Sequence, residues 1–181
     1  ETLCKACDGQ NVTIETVERK ERSEKPPKLY DLTTLQREAN RQLGFTAEQT
    51  LEYVQSLYEK KFVTYPRTDS RYVTEDMKDS IPAMVEIAAG FFSLQNSPMS
   101  MEQVIDNSKV SDHHAIITTM SVKDCDIYEL PFGEREILLL IALRLVCAVS
   151  NSCRYAETII TGKCNGSLFT AKGKTVLEDG W

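Results

Sequence analysis

Several features are scarce in this 181-residue chain, and each scarcity removes a class of protein. No apolar run reaches the roughly 20 residues that cross a bilayer. The longest candidate, Ile137 to Val149, is too short and contains Arg144. No signal peptide stands at the start, so no membrane partner and a cytoplasmic location are expected. Lacking an initiating Met and ending abruptly, the chain reads as an excerpt of a longer protein. Histidine occurs only at 113 and 114. The six cysteines, at 4, 7, 125, 147, 153 and 164, show no disulfide framework. Cys4 and Cys7 make a lone CxxC with no second pair to complete a zinc site. Reduced thiols are the simpler reading. Basic excess is missing too: 21 Lys and Arg stand against 27 Asp and Glu, a net charge of −6. A protein that grips duplex by its phosphates alone is usually basic. Any nucleic-acid contact must therefore be a local patch, or depend on parts outside this chain.

What is present describes a globular protein: 41% apolar and 27% charged residues. The length suits one ordinary domain or two small ones. Glu1 to Gly9 reads as the tail of a helix, and Asn11 to Val17 as a strand with Val12 and Ile14 on one face. Glu18 to Lys28 is a mixed charge run ending in Pro26-Pro27, expected to be a solvated strand end and linker. Thr33 with Gln36 is a candidate capping box for a helix carrying Leu35, Ala39 and Leu43 on one face, stopped at Gly44. Thr46 with Gln49 caps a second helix, with Leu51, Val54 and Tyr58 facing inward. Phe62 to Tyr65 is expected to be a short strand. Helix, helix, strand suggests a winged-helix-like unit, a DNA-binding geometry that is also a common packing unit. Thr74 caps a short helix, Pro82 opens another that ends at Gly90, and 91–103 reads as loop followed by a short helix. Pro131-Phe132-Gly133 is a turn before an apolar helix, Glu134 to Ser150, which belongs in a core. Beyond Asn151 the period becomes two. Strands are expected at Tyr155 to Thr161, Leu168 to Lys172 and Lys174 to Leu177, with a hairpin at Asn165-Gly166. Both chain ends are β and the middle is helical. The fold class is α+β: a helical unit inserted in a small antiparallel sheet built from both ends.

The chemistry concentrates in Tyr65-Pro66-Arg67-Thr68-Asp69-Ser70. Pro66 pushes Tyr65 toward an extended backbone, so Tyr65 and Arg67 are expected on one face. A free phenol has a pKa of about 10 and is a poor nucleophile at neutral pH. A nearby guanidinium favours the phenolate and grips phosphate through two parallel hydrogen bonds. That pattern suits attack on a phosphodiester. It equally suits a half-buried tyrosine followed by a turn in which Asp69 and Ser70 bond to backbone amides.

The run Tyr65-Pro66-Arg67-Thr68-Asp69-Ser70-Arg71-Tyr72 resembles the active-site motif of type IA DNA topoisomerases. Pro26-Pro27-Lys28-Leu29-Tyr30-Asp31-Leu32-Thr33-Thr34-Leu35-Gln36 is similar to the segment leading into that family's tyrosine domain. Ser111-Asp112-His113-His114-Ala115-Ile116-Ile117 resembles its histidine motif. Phe169-Thr170-Ala171-Lys172-Gly173-Lys174 and Gly180-Trp181 also fit, in family order. The proline after the tyrosine and the paired histidines are similar to the bacterial topoisomerase III branch. One departure is Ile117-Thr118-Thr119, where the family commonly has a proline before the last threonine.

The resemblance implies that residues 1–28 and 151–181 form a β-rich gate domain and 29–150 a helical, catabolite-activator-like tyrosine domain. It implies that Tyr65 cleaves single-stranded DNA by transesterification, giving a transient 5′-phosphotyrosyl link that allows strand passage and religation. Arg67 would stabilise the phosphate charge. Thr68, Asp69, Ser70, His113 and His114 would hold the strand. No metal ligand is carried over, since the family's acidic Mg²⁺ site lies in a separate domain. The expected partners are single-stranded DNA and that missing metal-binding domain; a monomer is expected, and the isolated chain is expected to be inactive. On the residues alone, adjacent histidines point in different directions and rarely chelate one metal. Two other classes compete: a non-catalytic winged-helix nucleic-acid-binding module, and a tyrosine recombinase. The latter would leave a 3′ link and place its tyrosine near the end of a catalytic domain.

Overall fold

A computed structural model describes residues 2–94 and 99–181, and they divide into two compact units. The first unit joins Glu1–Lys25 to Ser152–Gly180. It opens with α1 (Thr2–Cys7), and three antiparallel strands follow: β1 (Thr13–Glu24), β2 (Cys153–Cys164) and β3 (Ser167–Glu178). The order in the sheet is β1-β2-β3. Asn165 and Gly166 join β2 to β3 with φ of 44° and 81°. Positive φ at both central residues matches the right-handed twist of the flanking strands. Gly173 does not split β3, which runs unbroken across the expected gap.

Of the charge run 18–28, residues 18–24 are the solvated end of β1 and 25–28 the linker. The strand end pairs with β2 from Glu18↔Ile159 to Glu24↔Cys153. Every residue of β1 is exposed, so its charges stay hydrated and pair across strands. Arg154 binds Glu21 at 2.9 Å, Arg22 binds Glu157 at 3.3 Å, and Lys174 binds Glu24 at 3.1 Å. Opposite charges facing one another stabilise a ladder by tenths of a kcal/mol each, roughly 0.2–1.

The second unit comprises Pro26–Asn151 with Trp181. Its helices are α2 (Leu32–Leu43), α3 (Ala47–Glu59), α4 (Ile81–Gly90) and α5 (Phe132–Val149). The capping box of α2 uses Asp31 and Thr34, not Thr33 and Gln36: the Thr34 amide donates to Asp31 Oδ1 at 2.6 Å and the Asp31 amide to Thr34 Oγ1 at 3.2 Å. A carboxylate at the cap position accepts from the helix amides and meets the positive end of the dipole. Thr46 and Gln49 cap α3 reciprocally, as the sequence indicates. The inward face of α3 is Thr50, Val54 and Leu57, spaced i, i+4, i+7. Leu51 is only half-buried and Tyr58 is exposed, so the inner face expected from sequence is rotated by one position.

Helix α5 is the spine of this unit. Ile137, Leu138 and Ile141 join one core cluster with Leu35, Val54 and Ile116, while Leu145, Ala148 and Val149 join another with Ile81, Val85 and Ile117. Each of the Leu, Ile and Val side chains contributes roughly 1.5–3 kcal/mol by leaving water. The helix starts at Phe132, ahead of the expected Glu134, and the Tyr53 ring sits directly on Gly133. A Cβ at 133 would stand 2.4 Å from the Tyr53 Cζ.

Phe62 to Tyr65 forms no strand. Val63 makes a single bridge to Thr118, held by Thr64 N–H to Ile117 O and Thr119 N–H to Phe62 O, both 3.0 Å. Pro66 has no N–H to extend the ladder. The winged-helix-like unit thus keeps its helices and reduces its strands to bridges. Around Thr74 the helix is one 3-10 turn, Glu75–Met77, whose entry is held by the Asn107 side chain rather than by Thr74. Of the segment 91–103, residues 95–98 lie outside the described residues, and Met101–Gln103 is a 3-10 turn.

Candidate active site

The tyrosine segment is clamped to the histidine segment by side-chain hydroxyls. Thr64 Oγ1 donates to Ala115 O at 2.9 Å and accepts from the Ile117 amide at 3.0 Å. Thr68 Oγ1 donates to His113 O at 2.9 Å and accepts from the Ser70 amide at 3.1 Å. Ser70 Oγ reaches Lys109 O at 2.9 Å. Arg71 Nε reaches Leu29 O at 3.1 Å, and the Leu32 amide donates to Thr68 O at 3.1 Å. These bonds join segments far apart in sequence and fix the backbone on both sides of Tyr65.

Between those clamps, Tyr65 is half-buried. Its ring centroid lies 4.3 Å from that of His113, tilted by 42°. On another side Tyr58 meets it edge-on at 5.4 Å. A cavity of about 470 Å³ adjoins the ring, bordered by Tyr58, Val63, Thr64, His114 and Thr119 among others. Arg67 and Asp69 are exposed, whereas Thr68 and Ser70 are buried. Among the described residues no hydrogen bond or cation–π contact joins Arg67 to Tyr65, so the paired cation and phenol expected from sequence are not in contact. His113 faces Tyr65 while His114 turns its Nδ1 to Ala115 O at 2.9 Å. The two imidazoles diverge, and among the described residues no three His, Cys, Asp or Glu side chains converge to hold a metal ion.

Sequence reasoning missed one neighbour. Tyr58 is a wall of the site rather than a core residue; its place one position beyond buried Leu57 is the signal. Tyr72 is flanked by Lys28 and Lys109, 5.0 and 4.6 Å from its ring centroid. The Lys28 ammonium and then that of Lys109 hold its phenol below its ordinary value, against the opposing effect of burial. Thr118, standing where the resembled family has proline, is 1% exposed and its hydroxyl has no partner among the described residues.

Comparison with known proteins decides the family. A family model described as DNA topoisomerase matches residues 1–181, the whole chain. The chain belongs to the type IA DNA topoisomerases. It is similar to DNA topoisomerase 3 of Bacillus cereus, with 36% identity over 187 residues, 99% of this chain and 25% of that protein. DNA topoisomerase 3 of Bacillus subtilis is 38% identical over the same share of each. These relatives put it in the topoisomerase III branch. The chain thus spans about a quarter of the length of the curated relatives it matches. Its fold is similar to full-length topoisomerase I from Thermotoga maritima, with a TM-score of 0.69 and 24% identity, covering 97% of this chain and 29% of the other. Within this family frame, the tyrosine and histidine motifs are in contact, and Arg67, Asp69 and His113 are exposed. Thr68 and Ser70, expected to touch DNA, spend their hydroxyls on the protein's own backbone. No described helix is long and apolar enough to cross a membrane.

Proposed function

We propose that this chain is the tyrosine-bearing and gate portion of a type IA DNA topoisomerase, with Tyr65 as nucleophile on single-stranded DNA. The observation that carries the reading is the approach of Tyr65 to His113, ring centres 4.3 Å apart, made by two motifs distant in sequence. In the reaction, Tyr65 Oη bonds to a backbone phosphorus as its phenolic proton leaves. The bond from phosphorus to the 3′ oxygen breaks, and that oxygen departs as a hydroxyl after taking a proton. One ester replaces another, so the bond energy is kept for religation by the reverse step. Arg67 is exposed and makes no hydrogen bond among the described residues, which leaves its guanidinium available to the phosphate. His113 and Asp69 face the strand. Thr68 and Ser70 act one step back, holding the loop; Thr64 does the same, and His114 borders the cavity. The helical unit, Pro26–Asn151, is the tyrosine domain, a few residues wider than 29–150, and the unit of Glu1–Lys25 and Ser152–Gly180 belongs to the gate. The Mg²⁺ of this reading belongs to an acidic cluster in a metal-binding domain outside this chain. A cytoplasmic monomer with single-stranded DNA as its partner completes the reading.

The test uses the full-length protein carrying this chain, with Tyr65 or Tyr65→Phe, incubated with end-labelled single-stranded DNA and Mg²⁺. A covalent adduct is expected from 3′-labelled DNA only, as a 5′-phosphotyrosyl link requires, and none from Tyr65→Phe. A 3′-linked adduct would point to a recombinase. DNA binding with no adduct would leave a non-catalytic winged-helix module. This chain alone is expected not to relax supercoiled DNA.

A further inference from the structure

We propose that an arginine-lined cavity on α2 is a second phosphodiester-binding site for single-stranded nucleic acid, distinct from the Tyr65 site. The proposal rests on the DNA-directed reading above. The cavity holds about 420 Å³ and is lined by Thr34, Arg37, Glu38, Arg41, Arg71 and Arg144. Four arginines and one glutamate line it, in a chain whose net charge is −6. Tyr65, Arg67 and His113 do not line it.

Two of the arginines are already engaged. Arg41 binds Glu38 at 2.6 Å and Arg144 binds Glu38 at 3.3 Å. Arg144 also lies 4.1 Å from the centre of the Tyr30 ring and donates to Lys28 O at 3.2 Å. Glu38 therefore acts as an internal strut that fixes two cations. The other two are unspent. Arg71 is pinned by Nε to Leu29 O at 3.1 Å, and its two terminal nitrogens have no partner among the described residues. Arg37 is exposed and likewise has none. A guanidinium held by one edge with its fork free is pre-organised for the paired oxygens of a phosphate. Arg37 and Arg41 are one helical turn apart on α2, so the row follows the helix. The volume admits a phosphate with its sugar. The lining residues are all polar, which suits a backbone phosphate rather than an inserted base. Lys28 and Lys109, flanking Tyr72 next to Arg71, add positive charge along the same stretch of chain.

The experiment measures anisotropy of labelled oligo-dT bound to the full-length protein across a salt series. Wild type, Arg37→Glu, and Arg71→Lys are compared, with thermal melting as the folding control. Arg37 is exposed, so Arg37→Glu is expected to fold normally. It should weaken binding at low salt by about fivefold or more, and reduce the slope of log affinity against log salt by about 0.7 for each phosphate no longer neutralised. Arg71→Lys keeps the charge but loses the fork, so affinity falls with little change in slope. Affinities and slopes equal to wild type overturn the proposal. Loss of inorganic phosphate or dTMP binding, with oligo-dT unaffected, makes this a small-anion site and also overturns it. The adduct assay separates the two readings. A normal Tyr65 adduct with unchanged salt slopes removes only the cavity, and altered slopes without an adduct remove only the nucleophile.

Discussion

Thr68→Val tests whether the tyrosine and histidine segments are held together as the structure describes. One oxygen is removed, and it serves two bonds: 2.9 Å to His113 O and 3.1 Å from the Ser70 amide. Thr68 is 9% exposed and Ser70 4%, so water cannot readily replace the missing acceptor at Ser70. An orphaned buried amide costs about 1–3 kcal/mol. His113 is exposed, so its carbonyl is rehydrated, at a loss of about 0.5–1 kcal/mol. The added methyl returns up to about 0.8 kcal/mol of burial. The net expectation is a destabilisation of about 2 kcal/mol, read from the urea midpoint of the helical unit. Thr68→Ser keeps the oxygen and should lose about 1 kcal/mol or less. Well below the melting temperature, the folded valine variant should also form the Tyr65 adduct more slowly than the serine variant, because the carbonyl of His113 is no longer tethered. A valine variant within about 0.5 kcal/mol of wild type, or a serine variant equally damaged, refutes the clamp.

Thr118→Val removes a buried hydroxyl that has no partner among the described residues. It should raise stability by about 1 kcal/mol, and a lowered urea midpoint would show that the hydroxyl is bonded after all. Glu38 gives the pH prediction. Burial works to raise its carboxyl, but hydrogen bonds from Arg41 and Gln42 and the charge of Arg144 outweigh that and hold it below its ordinary value. A depressed folded value contributes stability above the unfolded pKa, about 4.3, and loses it as pH falls through the folded one. Glu38→Gln should therefore flatten the loss of stability between about pH 5 and 3, and an acid profile identical to wild type counts against the strut.

Local chemistry made much of this protein legible from its residues. Asn165-Gly166 required positive φ at both positions, and a tight hairpin supplies it. Thr46 with Gln49, and Leu35 with Ala39, encoded a cap and a buried face within a few residues of each other. The motif from Tyr65 to Tyr72 carried the family. Errors arose where neighbours distant in sequence decide. How far the strand reaches into the charge run, to Glu24, is set by β2, which offers partners for its amides and its charges. Phe62 to Tyr65 stayed a single bridge because Pro66 withholds the next donor. Tyr58 left the core because Leu57 fills the inward position of α3. No local pattern states that Tyr65 rests on His113, or that Arg71 shares a cavity with Arg37 and Arg144. Those meetings join segments tens of residues apart, and their geometry follows from how α5 and the backbone clamps pack the chain. Residue identity determined which chemistry the chain can perform; packing decided which groups meet to perform it.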